Sequence, residues 1–535
     1  NQYSVYGQDE MSINERLKVT AGIRFDMAAF PSVDGIKTHP LVEPLTFANG
    51  KKMDSGQLPD ARLMVSPRVG FNWDVKGDRS LQVRGGTGIF TGRVPTVWLV
   101  AQSGDAGLLQ FTETFTGQGN TPGPFRVEPY RPATPPAAGT SIPSTFSAID
   151  PDFKFPQAWK TSLGVDKKLP FGLVGSLEGI YTKDINTALG VNHNIQDPTA
   201  LNVAGYPDNR PFFPTSNNNK FIYKLSGGQA STVSGSAWNP IMLTNGNKGH
   251  YWSVTAKLEK QFDKGLSAFI AYTKSDAKVL YDGGGDQLIN TWQNTQITGN
   301  PNNPQLSSAN YIVPSRVVAS ISYRKEYLKK LASQISIFFE GSVAGRFSYT
   351  YSSDFNRDGQ VNDLIYIPRD ASEITFTDFN YGTGANPNVV TAAQQSDLFF
   401  QYIEQDDYLS KHKGEYAERN GAKMPWRNQI DLRFTQDLFT DIAGRKNTLQ
   451  FTIDIFNFGN LLNSKWGIYK SVNAPGILVP TNITSTGGAV TTGGAVAPTF
   501  RLQSNGSQPV STTFRDNNSI SSTYYMQFGL RYIFN

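Results

Sequence analysis

The residues best spaced for chemistry are Asp354-Phe355-Asn356-Arg357-Asp358-Gly359-Gln360-Val361-Asn362-Asp363. Counted from Asp354, side-chain oxygens stand at positions 1, 3, 5 and 9, with Gly at 6. That is the first part of a calcium loop, in which hard oxygens surround a hard cation and Gly makes the sharp turn. The bidentate Glu of position 12 is missing, Ile365 standing there, and Asp363 substitutes only if the loop folds back. The candidate ligands are Asp354, Asn356, Asp358, Gln360, Asn362 and Asp363, and the ion would stiffen a loop, not catalyse. The competing reading is an Asx-rich turn with Gly for its backbone angle.

Little else suggests catalysis, and the chain reads as no enzyme. His39, His193, His250 and His412 fall between the strand-like stretches without metal-ligand spacing, and neither HExxH nor GxSxG occurs. Glu404, Asp406 and Asp407 read as a wet acidic surface. Trp98, Phe212, Phe213 and Trp292 are candidates for lining a ligand-binding vestibule, because exposed aromatics carry binding energy well. The alternative is that long loops need such side chains to pack on one another. With no Cys there is no disulfide framework or thiolate site, and a net charge of +5 over 535 residues leaves no nucleic-acid footprint.

The elements that must carry these residues alternate with period two. Ile430, Leu432 and Phe434 oppose Asp431, Arg433 and Thr435. After a polar break at 437–447, Leu449, Phe451, Ile453 and Ile455 oppose Gln450, Thr452 and Asp454. Successive strand side chains point to opposite faces, so one face is apolar and the other polar. The same pattern marks hairpins at 3–26, 65–89, 159–183, 251–274 and 316–349 and a last strand at 524–534. Pro67, which has no N–H for a ladder, predicts a bulge or strand end.

These make 13 strands, joined alternately by short turns and long segments. That is the outer-membrane pattern of short periplasmic turns and long extracellular loops, with the apolar face toward lipid. We therefore expect an all-β, antiparallel transmembrane barrel in the outer membrane of a Gram-negative cell. Arg84, Glu178, Asp431, Arg433 and Asp454 then face the lumen, to meet a plug or pair across strands. The last strand follows a long loop and descends, so the first descends too. Thirteen strands starting outside do not make a closed bacterial barrel, which has an even number. The expectation is that 1–535 is the C-terminal part of a larger barrel.

Tyr6-Gly7-Gln8-Asp9-Glu10, Arg84-Gly85-Gly86-Thr87-Gly88-Ile89-Phe90-Thr91-Gly92-Arg93, Asp354-Phe355-Asn356-Arg357-Asp358-Gly359, Met424-Pro425-Trp426-Arg427 and Phe456-Asn457-Phe458-Gly459-Asn460-Leu461-Leu462-Asn463 occur in that order. Together they resemble the TonB-dependent outer-membrane receptors of the Oar-like, Bacteroidetes-type kind. The resemblance implies a plugged barrel of 22 strands, of which these would be the last 13. It also implies uptake of a bulky or scarce solute driven by the TonB complex, with a surface lipoprotein as a further partner. The family's plug, TonB-contact box and N-terminal regulatory domain have no counterpart in these residues. Phe534 is penultimate where the family ends in an aromatic residue. Rival readings are an adhesion or surface-binding barrel and a passive channel. No signature names the solute.

Overall fold

The computed structural model describes residues 1–30, 36–110, 137–442 and 445–534, without side chains over 440–446. Thirteen long strands run through it in chain order. They are β1 (Gln2–Asn14), β2 (Leu17–Ala28), β3 (Arg62–Asp74), β4 (Leu81–Thr91), β5 (Gln157–Lys168), β6 (Leu173–Val191), β7 (Gly249–Gln261), β8 (Leu266–Val279), β9 (Ser315–Tyr327), β10 (Leu331–Val343), β11 (Trp426–Ile442), β12 (Arg445–Phe456) and β13 (Tyr525–Ile533). Each bonds its sequence neighbours antiparallel, and the path β1 to β13 is one continuous sheet. Three short strands (Thr145–Ile149, Asn239–Gly246, Ser307–Ser308) join it at the loop end. Among the described residues no helix is long and apolar enough to cross a membrane.

Register puts the apolar residues on one face. Phe451 stands opposite Leu530, Ile453 opposite Phe528, and Phe434 opposite Ile453 on the other side. Phe451 is 40% and Leu530 74% exposed, so no second sheet covers them. Val65, Leu163, Leu177, Ile270, Ile321 and Ile335 are bare in the same way. In water this area would be costly at about 25 cal/mol per Å²; hydrocarbon removes that cost. The other face pairs its charges: Arg84 with Asp166 and Glu178, Arg316 with Glu340, Arg324 with Asp437, and Arg433 with Asp454. The lumen candidates thus pair with one another or, for Asp431, accept from Asn457 N–H at 2.8 Å.

Two readings of the strands are corrected. The polar break at 437–447 is largely strand, since β11 and β12 stay paired from Leu432↔Ile455 to Ile442↔Arg445. Polarity there reflects the end of the membrane band, not the end of the ladder. Pro67 sits within β3 opposite Ile23, and the β3–β4 pairing begins only at Arg68↔Gly88. The missing N–H therefore faces the side where no ladder runs. The turn 328–330 closes β9 and β10 without Gly, taking positive φ at Leu328 (51°) and Lys329 (55°).

The buried core lies almost wholly in the long loops. One cluster joins 201–212, 349–422 and 477–510. A second joins 94–101, 149–153, 195–243 and 288–292, and a third 42–53, Ala106, 142–148 and 225–242. Helix α1 (Thr96–Gly104) packs in the second cluster. Helix α2 (Ala392–Gln405) buries Phe399, Tyr402 and Ile403 in the first and starts with a capping box of Thr391 and Gln394.

Candidate functional site

The Asp-rich loop sits where four of these long connections meet. Its geometry is a chain of Asx turns: Asn356 Oδ1 accepts the Asp358 N–H at 2.8 Å, and Asp358 Oδ1 accepts the Gln360 N–H at 2.7 Å. Asp354 Oδ2 accepts the Gly359 N–H at 2.9 Å. Gly359 has φ +93° and Arg357 +64°, left-handed conformations that shape the tight bend. Asp363 does fold back, its Oδ2 accepting the N–H groups of Phe355 (2.7 Å) and Asn356 (3.3 Å). Ile365, at the twelfth position, is instead a buried member of the apolar core.

From this bend, bonds run outward. Asn356 Nδ2 donates to Gly299 O at 2.6 Å, and its carbonyl accepts the Phe213 N–H at 2.8 Å. Asn362 Nδ2 donates to Gln293 O and Thr295 O at 2.9 and 3.0 Å. The Arg357 guanidinium reaches Thr215 Oγ1, Thr484 O, Gly487 O and Val490 O at 2.5–3.1 Å. One ten-residue bend therefore holds the connections 192–248, 280–314 and 457–524 to its own, 344–425.

Electrostatically the bend is unbalanced. Asp354, Asp358 and Asp363 are all buried, and so is Asn356. The Arg210 guanidinium lies fully buried over the rings of Phe355 (4.6 Å) and Tyr351 (5.0 Å). It is bound by Asp208, with Nε 3.0 Å from both carboxylate oxygens, and is 3.9 Å from Asp363 Oδ1. Burial pushes the Asp354 carboxyl up to about 6 and, with Asp354 nearby, that of Asp358 up to about 8. Burial and the Asp358 charge push Asp363 well up. Three side-chain oxygens, Asp354 Oδ1, Asn362 Oδ1 and Asp363 Oδ1, are buried without a hydrogen-bond donor. Among the described residues no three His, Cys, Asp or Glu side chains converge into a ready-made metal cluster.

The four aromatics proposed for a vestibule are placed otherwise. Trp98, Phe213 and Trp292 belong to one loop core and Phe212 to another, and none exceeds 5% exposure. The readings as packing residues and as vestibule lining differ in whether the rings meet solvent, and here they do not. Trp292 Nε1 donates to Asn302 Oδ1 at 2.9 Å, and Arg357 covers the Phe212 ring at 5.0 Å. Asp406 is also corrected: it is buried, accepting from Tyr349, Thr513 and the N–H groups of Tyr408 and Leu409. His250 lies in β7, not in a loop. Residues that sequence reasoning missed are Asp208, Arg210 and Lys220, the last a buried ammonium whose charge acts on Asp354 and Asp358. Only Arg357 carried a signal, being inside the motif.

A family profile described as outer membrane beta barrel domain matches residues 1–503. The chain belongs to that family. It is thus an outer-membrane protein of the Gram-negative envelope, and the sheet, turns and lipid-facing band above are the family's barrel. No curated protein matches it by sequence. Among solved structures it is similar to the ferric enterobactin receptor PfeA of Pseudomonas aeruginosa, at 9% identity and TM-score 0.40. That likeness covers 99% of this chain and 44% of the receptor. It is similar also to the outer membrane transporter YddB of Escherichia coli, at 12% identity and TM-score 0.42, covering 94% of this chain and 44% of that one. The copper transporter OprC is a third, at 9% identity and TM-score 0.36, covering 86% and 42%. The chain spans less than half the length of each of these receptors and transporters.

Proposed function

We propose that this barrel takes up a bulky or scarce solute across the outer membrane, driven by the TonB complex, under a packed extracellular cap. The observation that carries the reading is the amount of ordered structure over one end of the sheet. Three apolar cores and the Asp-rich junction build a packed surface there. Loops of that size with their own cores are a functional investment, since long connections in compact proteins are otherwise uncommon. Energised uptake through a plugged lumen, rather than passive flow, rests on the resemblance in the motifs quoted above. A surface lipoprotein seated on the cap is a further partner in this reading.

The unpaired edges of β1 and β13 bear on the architecture. Each bonds one neighbour only among the described residues. An unsatisfied backbone group in hydrocarbon costs several kcal/mol, so both edges must be bonded in the membrane. We infer that further strands of the same protein close the barrel, in keeping with 22 in all.

The test compares isogenic cells with and without the protein, each with and without TonB, by mass spectrometry of what they remove from the medium. A solute whose depletion needs both supports the reading. Depletion that survives loss of TonB overturns the energised mechanism in favour of a channel. If no solute depends on the protein while cell attachment does, the adhesion reading replaces it.

A further inference from the structure

We propose that the 354–363 bend binds one calcium ion, which clamps the four extracellular connections together. Three carboxylates, none more than 4% exposed, lie on one ten-residue bend. Two cations face them: buried Lys220, whose ammonium acts on Asp354 and Asp358, and Arg210, shared between Asp208 and Asp363; with Asp208 counted, four carboxylates meet these two, while Arg357 is held by three backbone carbonyls and a hydroxyl. No ion pair to Asp354 or Asp358 is formed among the described residues, and the one to Asp363 is 3.9 Å long. Buried carboxylates without partners are costly, and proteins compensate them with a cation, a metal or a proton.

The bare oxygens say which. Asp354 and Asp363 each turn one oxygen onto N–H groups of the bend itself, at Gly359 and at Phe355. The second oxygen of each is buried with no donor, that of Asp363 lying 3.9 Å from Arg210 Nη1. Asn362 is held by its amide nitrogen in the same way, leaving its Oδ1 without a donor. Unpartnered acceptors on an acidic bend call for a cation, not an anion or a neutral donor pair. An all-oxygen set without His or Cys suits a hard cation. Calcium accepts irregular shells of six to eight oxygens, whereas magnesium keeps several waters that a dry, packed site has no room for. The carboxylates do not converge as they stand, so ligation draws Asp354, Asp358 and Asp363 together, with the Asn362 amide oxygen completing the set. Because Asn356 and Asn362 also bond 293–299, and Arg357 bonds 484–490, that contraction tightens all four connections.

Binding is read without transport, so its outcome is independent of the uptake proposal. Full-length protein is purified from outer membranes in detergent, stripped with EDTA, and titrated with calcium, with magnesium as control, by equilibrium dialysis and calorimetry. One calcium per chain is expected, with a Kd of about 10⁻⁴–10⁻³ M as in extracellular modules. Calcium, and not magnesium, should slow tryptic cleavage within 192–248, 280–314, 344–425 and 457–524 about tenfold, an order of magnitude in opening equilibrium. Asp358→Asn should weaken binding at least about tenfold, and Asp370→Asn, at an exposed turn, should not. If Asp358→Asn does not assemble, wild-type stoichiometry and Asp354→Asn carry the test. No bound calcium at several times the upper Kd overturns the proposal and assigns the compensation to protons. Binding left intact in both Asp354→Asn and Asp358→Asn overturns the site.

Discussion

At the scale of single residues, the molecule separates charges that are paired from charges that are held. Arg357 is the clearest case of the second kind: it is buried, ringed by carbonyls, and joins three connections. Arg357→Ala would leave the buried Val490 carbonyl without its guanidinium donor, free the Thr484 and Gly487 carbonyls, and open a void beside Phe212. The expected loss is about 3 kcal/mol of local stability, since bonds to charged groups contribute about 1.5–3 kcal/mol each. Hydrogen exchange of 484–490 should accelerate by about two orders of magnitude, with the strands unchanged. Gly85 is held by sterics instead. A Cβ there would come within 2.9 Å of both Phe71 Cε1 and the Ser162 carbonyl. The carbonyl belongs to the ladder and cannot yield, so Gly85→Ala should cost about 1–3 kcal/mol and lower the unfolding temperature.

At the scale of elements, the strand is the unit and its two faces obey different solvents. Leu530 and Gln527 sit three residues apart on β13, the first beside Phe451 and the second beside Asp454. Leu530→Arg places a charge in the lipid band and should cost about 2–4 kcal/mol near the midplane. Gln527→Arg faces the side where Asp454 and Arg433 already pair, and should be tolerated. The folded fraction on semi-native gels, where barrels migrate by heat-modifiable mobility, reads both. Equal loss for the two substitutions would contradict the assignment of faces. Loops are the other element type, and they invert the usual arrangement: the dry interior is in the connections, while the strands show their apolar side outward.

At the scale of the whole molecule, an open sheet of thirteen strands carries a cap built from every face of its long connections. Its two edges, unbonded among the described residues, predict that residues 1–535 expressed alone will not insert as a heat-modifiable barrel. Insertion of 1–535 as a closed monomer would mean that β1 and β13 can pair with each other. The cap predicts in addition that surface proteolysis of intact cells stops at few sites, because the loops share cores.

The period-two pattern, the short-turn and long-loop alternation and the strand count were legible in the chain, because side-chain alternation in a membrane strand is dictated by local geometry and by one solvent boundary. The Asx bend was legible for the same reason: its bonds span only a few residues, and Asp363 lies close enough to fold back. The fate of Trp98, Phe212, Phe213 and Trp292 was not, since exposure of a loop aromatic depends on which distant connection covers it. Nor was Arg210, brought within 3.9 Å of Asp363 across 153 positions of chain. Local pattern determined the barrel and the bend, whereas the packing of connections far apart in sequence decided that the bend is buried, short of compensating charge, and the junction of the cap.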